Sequence, residues 1–234
     1  MIKLILVDFD DTLCLSEEAC FLLENEIAAK LGFAPMTRTA HQANWGKPLK
    51  DAITERIPGI DSKKFMALFP EVSKKHTEDG SFDHISEENL DILRSLRKKG
   101  YKVIIQTPRQ HCEVQYLISD KSPLMPVIDG FFYQERTNCW APDPHVFLLP
   151  ARMFHAAPQE TVYIGEALLD VEWCKAAGIH FIASLESGLR TKEDFEKLGA
   201  TMFINRFTEL PERIEELDTT LAKEPQGFTS KAVL

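Results

Sequence analysis

Four aliphatic residues, Leu4 to Val7, run directly into one carboxylate, Asp8, and a second, Asp10, follows two positions later. An unbroken aliphatic run of this length predicts a strand buried on both faces, as in a parallel sheet. Open parallel sheets bind ligands at the carboxyl ends of their strands, so we expect both aspartates at the mouth of a site. Two carboxylates this close repel each other unless a cation lies between them. A hard, oxygen-binding ion such as Mg²⁺ is the expected occupant.

An alternation of strand and helix patterns beyond residue 84 indicates the fold class. Strands alternating with helices predict a doubly wound parallel α/β sheet that carries helices on both faces. The expected strands are 101–106, a short one within 127–133, 161–164, 179–184 and 201–204, and the expected helices are 86–99, 109–120, 144–157, 168–177, 191–198 and 208–222.

The segment 15–83 has helical spacing, interrupted by prolines and glycines, and no strand pattern. Its first predicted helix follows Ser16, a plausible N-cap residue, and ends at Gly32. We therefore expect an all-helical insert at 15–83 within an α/β core, and a frayed C-terminal tail. The expected bounds are 1–14 and 84–222 for the core and 223–234 for the tail.

Composition excludes several classes of partner. The chain of 234 residues has 27 Lys and Arg against 36 Asp and Glu, a net charge of −9, which argues against a nucleic-acid surface. No apolar stretch approaches the roughly 20 residues of a membrane span, and no signal peptide is evident. Five cysteines without a C-x-x-C pair suggest reduced thiols, and a cytoplasmic protein is expected.

Polar residues also follow two later strands of the predicted sheet. Thr107 comes directly after the strand 101–106, and Glu166 with Asp170 comes after 161–164. The carboxyl ends of parallel strands share one edge of the sheet, so these side chains are expected to meet Asp8 and Asp10 there. Four carboxylates and a hydroxyl around one crevice suit a site that joins a metal ion and a phosphate.

The motifs together resemble those of haloacid dehalogenase superfamily hydrolases that carry a helical cap, the group of phosphoglycolate phosphatase and β-phosphoglucomutase. The resemblance spans nearly the whole chain, in order and at similar spacing. It makes the insert 15–83 a cap domain, and it favours a phosphatase or phosphomutase over a dehalogenase because of the second aspartate, Asp10. The matching motifs are Asp8-Phe9-Asp10-Asp11-Thr12, Thr107, Ala141-Pro142-Asp143-Pro144, and Gly165-Glu166 with Asp170.

The resemblance implies a role for each matching residue. Asp8 would be the nucleophile that forms an aspartyl-phosphate, and Asp10 would be the general acid and base. Thr107, with Thr12, would contact the phosphorylated substrate. Asp8, Asp10, Glu166 and Asp170 would hold Mg²⁺, with Asp10 contributing its backbone carbonyl.

Two departures weaken this resemblance. The third motif normally begins with a lysine that neutralises charge between nucleophile and phosphoryl group, and this chain has Ala141 there. Glu166 stands where the fourth motif usually has Asp, which changes the reach of a metal ligand. Arg109 is the best-placed substitute cation, and three weaker candidates are Lys121, Arg136 and Lys175.

The expected function is Mg²⁺-dependent hydrolysis of a small phosphorylated metabolite. Two alternatives stay open: a catalytically weak protein that binds a phosphate ligand or a protein partner, and a phosphomutase. In the cap, Lys47 could meet an anionic group of the substrate and Trp45 could stack on a sugar or base. The sequence does not identify the substrate or the oligomeric state.

Overall fold

A parallel β-sheet forms the centre of the molecule in the computed structural model, which describes residues 1–78, 81–137 and 143–223. Within these ranges the sheet has six strands in the order β3-β2-β1-β4-β5-β6, and every pair of neighbours is parallel. This confirms the predicted doubly wound α/β class. The strands are β1 Leu4–Asp8, β2 Lys102–Gln106, β3 Gly130–Phe132, β4 Thr161–Gly165, β5 His180–Ser184 and β6 Phe203–Ile204.

The register of the central strands aligns the predicted site residues. Asp8 at the end of β1 pairs with Gln106 at the end of β2, and Val7 pairs with Ile164 in β4. Thr107 and Glu166 therefore follow their strands at the same edge of the sheet as Asp8. The aliphatic residues of β1 have no exposed surface, which is why this strand is a continuous hydrophobic run in the sequence.

Helices cover both faces of the sheet, as predicted. One face packs on leucines of α5 and on the last helix, and the other packs on Phe147, Ala151 and Cys174 from the helices that flank β4. The helices of the core are α5 Glu87–Lys98, α6 His111–Val114, α7 Gln134–Thr137, α8 His145–Met153, α9 Leu168–Ala177, α10 Lys192–Lys197 and α11 Leu210–Lys223.

The segment between β1 and α5 is helical and has a hydrophobic cluster of its own. Leu23, Ile53, Phe65 and Phe69 are buried in that cluster. Its helices are α1 Glu17–Lys30, α2 Arg38–Gln42, α3 Leu49–Arg56 and α4 Ser62–Glu78. A helical cap thus interrupts the chain after the first strand. No helix in the described part of the chain is long and apolar enough to cross a membrane.

Local departures from the predicted elements have clear physical causes. The helix expected at 109–120 is a single turn, α6, followed by hydrogen-bonded turns up to Ser122. Ser16 precedes α1, but its side chain does not cap the helix. The carboxylate of Asp11 instead accepts the backbone N–H groups of Ser16 and Glu17, at 2.9 and 3.2 Å. The tail beyond Lys223 lies outside the described residues.

Candidate active site

Asp8, at the end of β1, is 7% exposed and faces a cavity between the core and the cap. The hydroxyl of Thr12 lies 3.5 Å from Oδ2 of Asp8 and is oriented to donate to it. Burial raises the pKa of Asp8 well above its usual range, and the nearby charges of Asp170, Asp10 and Glu166 raise it further. Asp8 therefore has the position of an attacking group, and the surrounding charge opposes its ionisation.

Two more carboxyl groups follow β4 and line the same cavity. Burial raises the pKa of Glu166 to about 8, with a further contribution from Asp170, and burial raises the pKa of Asp170 to about 7. The carboxylate of Asp170 accepts the backbone N–H of Ala167 at 3.2 Å. Gly165 leaves room for that carboxylate, since a Cβ at Gly165 would lie 2.3 Å from Oδ2 of Asp170.

The donors around Asp8 fit a hard divalent cation by their chemistry. Oε2 of Glu166 is buried and has no hydrogen-bond partner among the described residues, so a cation would satisfy an otherwise costly group. A positive ion would also offset the repulsion that contributes to the raised pKa values of Asp8 and Glu166. Within the described ranges no three His, Cys, Asp or Glu residues are arranged to hold a metal ion by themselves.

Asp10 differs from the other three expected metal ligands because its carboxylate is already bound to a cation. Both of its carboxylate oxygens bind Arg109, with Nε 2.9 Å from Oδ2 and Nη2 2.6 Å from Oδ1. Ser16 also donates its hydroxyl to Oδ1. The carboxylate of Asp10 thus turns toward Arg109, and its backbone carbonyl is the oxygen left for the metal role that the sequence suggested.

Arg109 is buried among acidic and aromatic side chains. Its Nη1 donates to Asp83 at 2.7 Å, and its guanidinium lies over the rings of Phe9 and Phe82 at 4.9 and 5.0 Å. Burial raises the pKa of Asp83 to about 6, and the charge of Arg109 opposes that rise. Every nitrogen of Arg109 thus has an acidic partner. The role of Arg109 as a substitute cation stays a prediction.

Thr107 and Gln106 complete the base of the cavity at the end of β2. The hydroxyl oxygen of Thr107 accepts the backbone N–H of Arg109 at 3.3 Å, which leaves its hydrogen free to donate. Oε1 of Gln106 is buried without a hydrogen-bond partner among the described residues. The role of Thr107 as a donor to a phosphoryl oxygen, which requires such a free hydrogen, stays a prediction. Gln106 is an additional polar group that the sequence did not single out.

The cap covers the site with the loop that precedes α3. A Cβ at Gly46 would lie 3.7 Å from Oε1 of Glu166, so this loop approaches the core closely. Trp45 contributes a buried indole N–H that has no partner in the described residues. Lys47 lines the cavity too, but its ammonium is half exposed and bonds both oxygens of Glu55, at 3.1 and 3.0 Å. The enclosed volume is about 610 Å³.

The weaker candidates for a substitute cation do not line the cavity. Arg136 donates to the carbonyl of Phe131 at 2.7 Å, Lys175 bonds the carbonyl of Leu198, and Lys121 is exposed. Ala141, where the lysine is missing, lies outside the described residues.

Sequence reasoning missed Arg190, which follows β5 and lines the cavity with Asp8 and Glu166. A signal for it existed, since β5 ends at the same edge of the sheet as β1 and β4. The strand-end argument that led to Glu166 extends to the loop after β5.

Comparison with known proteins agrees with this arrangement. The family model described as haloacid dehalogenase-like hydrolase matches residues 5–184. A phosphorylated carbohydrates phosphatase of Thermotoga maritima is 21% identical over 204 residues, which cover 86% of this chain and 93% of that protein.

Two solved structures are similar over most of their length. CbbY from Rhodobacter sphaeroides, solved in complex with phosphate, has a TM-score of 0.72 and 21% identity, and the alignment covers 90% of this chain and 96% of that one. A β-phosphoglucomutase from Clostridium difficile has a TM-score of 0.70 and 14% identity, covering 95% and 100% of the two chains.

Proposed function

Because the chain belongs to the haloacid dehalogenase-like hydrolases, in the phosphatase-type group, we propose that it hydrolyses small phosphomonoesters through Asp8 with Mg²⁺ as cofactor. One observation carries this proposal. Asp8 ends one of three adjacent parallel strands, Thr107, Glu166 and Asp170 follow the other two, and all four line one cavity. The similarity to a phosphatase of phosphorylated carbohydrates favours a phosphorylated carbohydrate as substrate.

In this proposal Asp8 forms the bond to phosphorus while the bond from phosphorus to the ester oxygen breaks. Thr107 donates its hydroxyl to a phosphoryl oxygen and fixes the orientation of the group. Thr12 donates to Asp8 and holds the attacking carboxylate in place. Water then attacks the phosphorus of the aspartyl-phosphate, which releases phosphate and restores Asp8.

Asp10 transfers the protons in both steps. It protonates the departing ester oxygen, and it later removes a proton from the attacking water. In the structure Arg109 and Ser16 hold its carboxylate, so Asp10 has to release at least one of these hydrogen bonds to reach a leaving group.

Mg²⁺ bound by Asp8, Glu166 and Asp170, with the backbone carbonyl of Asp10, would neutralise the phosphate that an anionic nucleophile must approach. The same acids explain why a cation is needed, since burial raises the pKa values of all three and repulsion from neighbouring acids adds to the rise for Asp8 and Glu166.

A catalytically weak binding protein is the second candidate, and the sequence favours it at one position. Ala141 replaces the lysine of the third motif, and loss of one charge-stabilising donor costs about 10²–10³ in rate. A phosphomutase is the third candidate, and it differs in protecting its aspartyl-phosphate from water.

Phosphate release from a panel of phosphomonoesters with Mg²⁺ separates these functions. Wild type, Asp8→Asn and Ala141→Lys are compared. Turnover by the wild type that disappears in Asp8→Asn supports the hydrolase. No turnover by the wild type, with activity gained in Ala141→Lys, supports the weak binding protein. Conversion of a sugar phosphate to its isomer without phosphate release supports the mutase.

A further inference from the structure

Arg190 differs from the other cationic residues of the cavity because it forms no salt bridge within the described residues. Four cationic side chains of the described residues line this space. Lys47 is paired with Glu55, Arg56 with Glu24, and Arg109 with Asp10 and Asp83. Arg190 forms no salt bridge with any residue that the structure describes. Its charge is therefore available to a ligand.

The hydrogen bonds of Arg190 lead to the same conclusion. Nη1 donates to the carbonyl of Leu189 at 3.1 Å, while Nε is buried and has no partner in the described part of the chain. A buried guanidinium N–H without an acceptor is costly, and a ligand oxygen in the cavity would remove that cost. Planar guanidinium groups bind phosphoryl oxygens particularly well, since two parallel N–H groups match two oxygens.

The position of Arg190 places this charge among the acids of the site. Arg190 follows β5, and Glu166 follows the neighbouring strand β4, so both lie at the carboxyl edge of the sheet. The two are close enough for the charge of Arg190 to lower the pKa of Glu166 against the effect of burial. Asp8 lines the same cavity.

We propose that Arg190 binds a phosphoryl oxygen of the substrate and supplies positive charge in a site whose third motif has Ala141 in place of lysine. This assignment rests on the proposed function, because it places a phosphoryl group beside Asp8. It makes Arg190 a substrate-binding residue, and it gives the chain a second source of positive charge besides the metal ion.

Direct binding of inorganic phosphate tests the assignment without requiring turnover. Isothermal titration calorimetry at saturating Mg²⁺ compares the wild type with Arg190→Gln and Arg190→Lys. We expect Arg190→Gln to weaken phosphate binding about 10- to 100-fold, the usual effect of removing a charged donor. Arg190→Lys keeps the charge and should retain part of the affinity.

Lys192→Gln is the matched control, because Lys192 is a nearby exposed cation outside the cavity. It should leave phosphate binding unchanged. Thermal unfolding of each variant checks the fold, and loss of affinity in a folded Arg190→Gln protein supports the proposal.

The proposal is overturned if Arg190→Gln binds phosphate as tightly as the wild type, or if the wild type does not bind phosphate. A change confined to Mg²⁺ affinity also overturns it, since Arg190 would then only balance the charge of Glu166. A wild type that binds phosphate through Arg190 but hydrolyses no ester refutes the proposed function and leaves this assignment intact.

Discussion

Arg109 binds both carboxylate oxygens of Asp10, at 2.9 and 2.6 Å, and so joins the loop after β2 to the loop after β1. The same guanidinium binds Asp83, which lies where the chain returns from the cap to the core. Arg109 thus links Asp10, the proposed general acid and base, to the second chain segment that connects the cap to the core. Movement of the cap would change the contacts that hold Asp10.

Replacing Arg109 with glutamine should destabilise the protein strongly. Asp10 and Asp83 would lose their cationic partner in a site where Arg109 is 6% exposed. Removing one partner of a buried ion pair costs about 3–5 kcal/mol, because the remaining charge is uncompensated. Urea unfolding measures the loss, and the double variant Arg109→Gln with Asp83→Asn should recover part of it.

Arg94 provides the matched control for this prediction. It bonds Glu87 and Asp91 on the surface of α5, with partners that are 72% and 69% exposed. Arg94→Gln should change the free energy of unfolding far less than Arg109→Gln does, because solvent screens an exposed ion pair. Equal losses in the free energy of unfolding for Arg94→Gln and Arg109→Gln would show that the buried ion pairs of Arg109 stabilise the protein no more than exposed ones do.

Gly165→Ala should displace the carboxylate of Asp170, one of the two acids after β4. A Cβ there would lie 2.3 Å from Oδ2 of Asp170 and 2.6 Å from the ring of Tyr163, so the carboxylate has to move. Such overpacking costs about 1–3 kcal/mol. We expect weaker Mg²⁺ binding by calorimetry, comparable to that of Asp170→Asn. Unchanged Mg²⁺ affinity in both variants would remove Asp170 from the proposed metal site.

Glu113 should make the stability of the protein depend on pH. Burial raises its pKa from 4.5 to about 8, although the backbone N–H of Gln110 and the charge of Arg109 oppose the rise. Between these pH values the folded protein keeps a proton that the unfolded chain has released. The free energy of unfolding therefore falls as pH rises, by up to about 1.4 kcal/mol per unit.

Glu113→Gln should remove the contribution of Glu113 to this dependence while preserving an oxygen that can accept the N–H of Gln110. The variant should match the wild type near pH 4.5 and exceed its stability by a growing margin up to about pH 8. Chemical unfolding at several pH values measures the difference. Glu135→Gln, an exposed acid nearby, should show no such trend. A constant difference across the range would exclude Glu113 as the cause.

The strand ends could be predicted because the rule behind them is local. An aliphatic run followed by Asp8 identifies both a buried strand and its functional end. The same reasoning located Thr107 and Glu166, and parallel pairing then brought all three to one edge. The prediction of a helix at 109–120 was wrong beyond Val114, where hydrogen-bonded turns follow a single helical turn.

The partners of the charged residues could not be predicted from local patterns. Arg109 binds an aspartate 99 positions away and another 26 positions away, so only the folded chain shows that its charge is already balanced. Arg190 lies outside every recognised motif, and its availability depends on three other cations being paired. Ser16 fits an N-cap by sequence, yet its hydroxyl binds Asp10 because Asp11 already caps α1.

The central claim is that Asp8 carries the phosphoryl group during turnover. The direct measurement is a single turnover with excess enzyme, acid quench within the first turnover, and mass analysis of the peptide that contains Asp8. We expect one phosphoryl group on that peptide, located on Asp8 by fragmentation and absent from Asp8→Asn together with phosphate release. Phosphate release by Asp8→Asn at the wild-type rate would contradict the account.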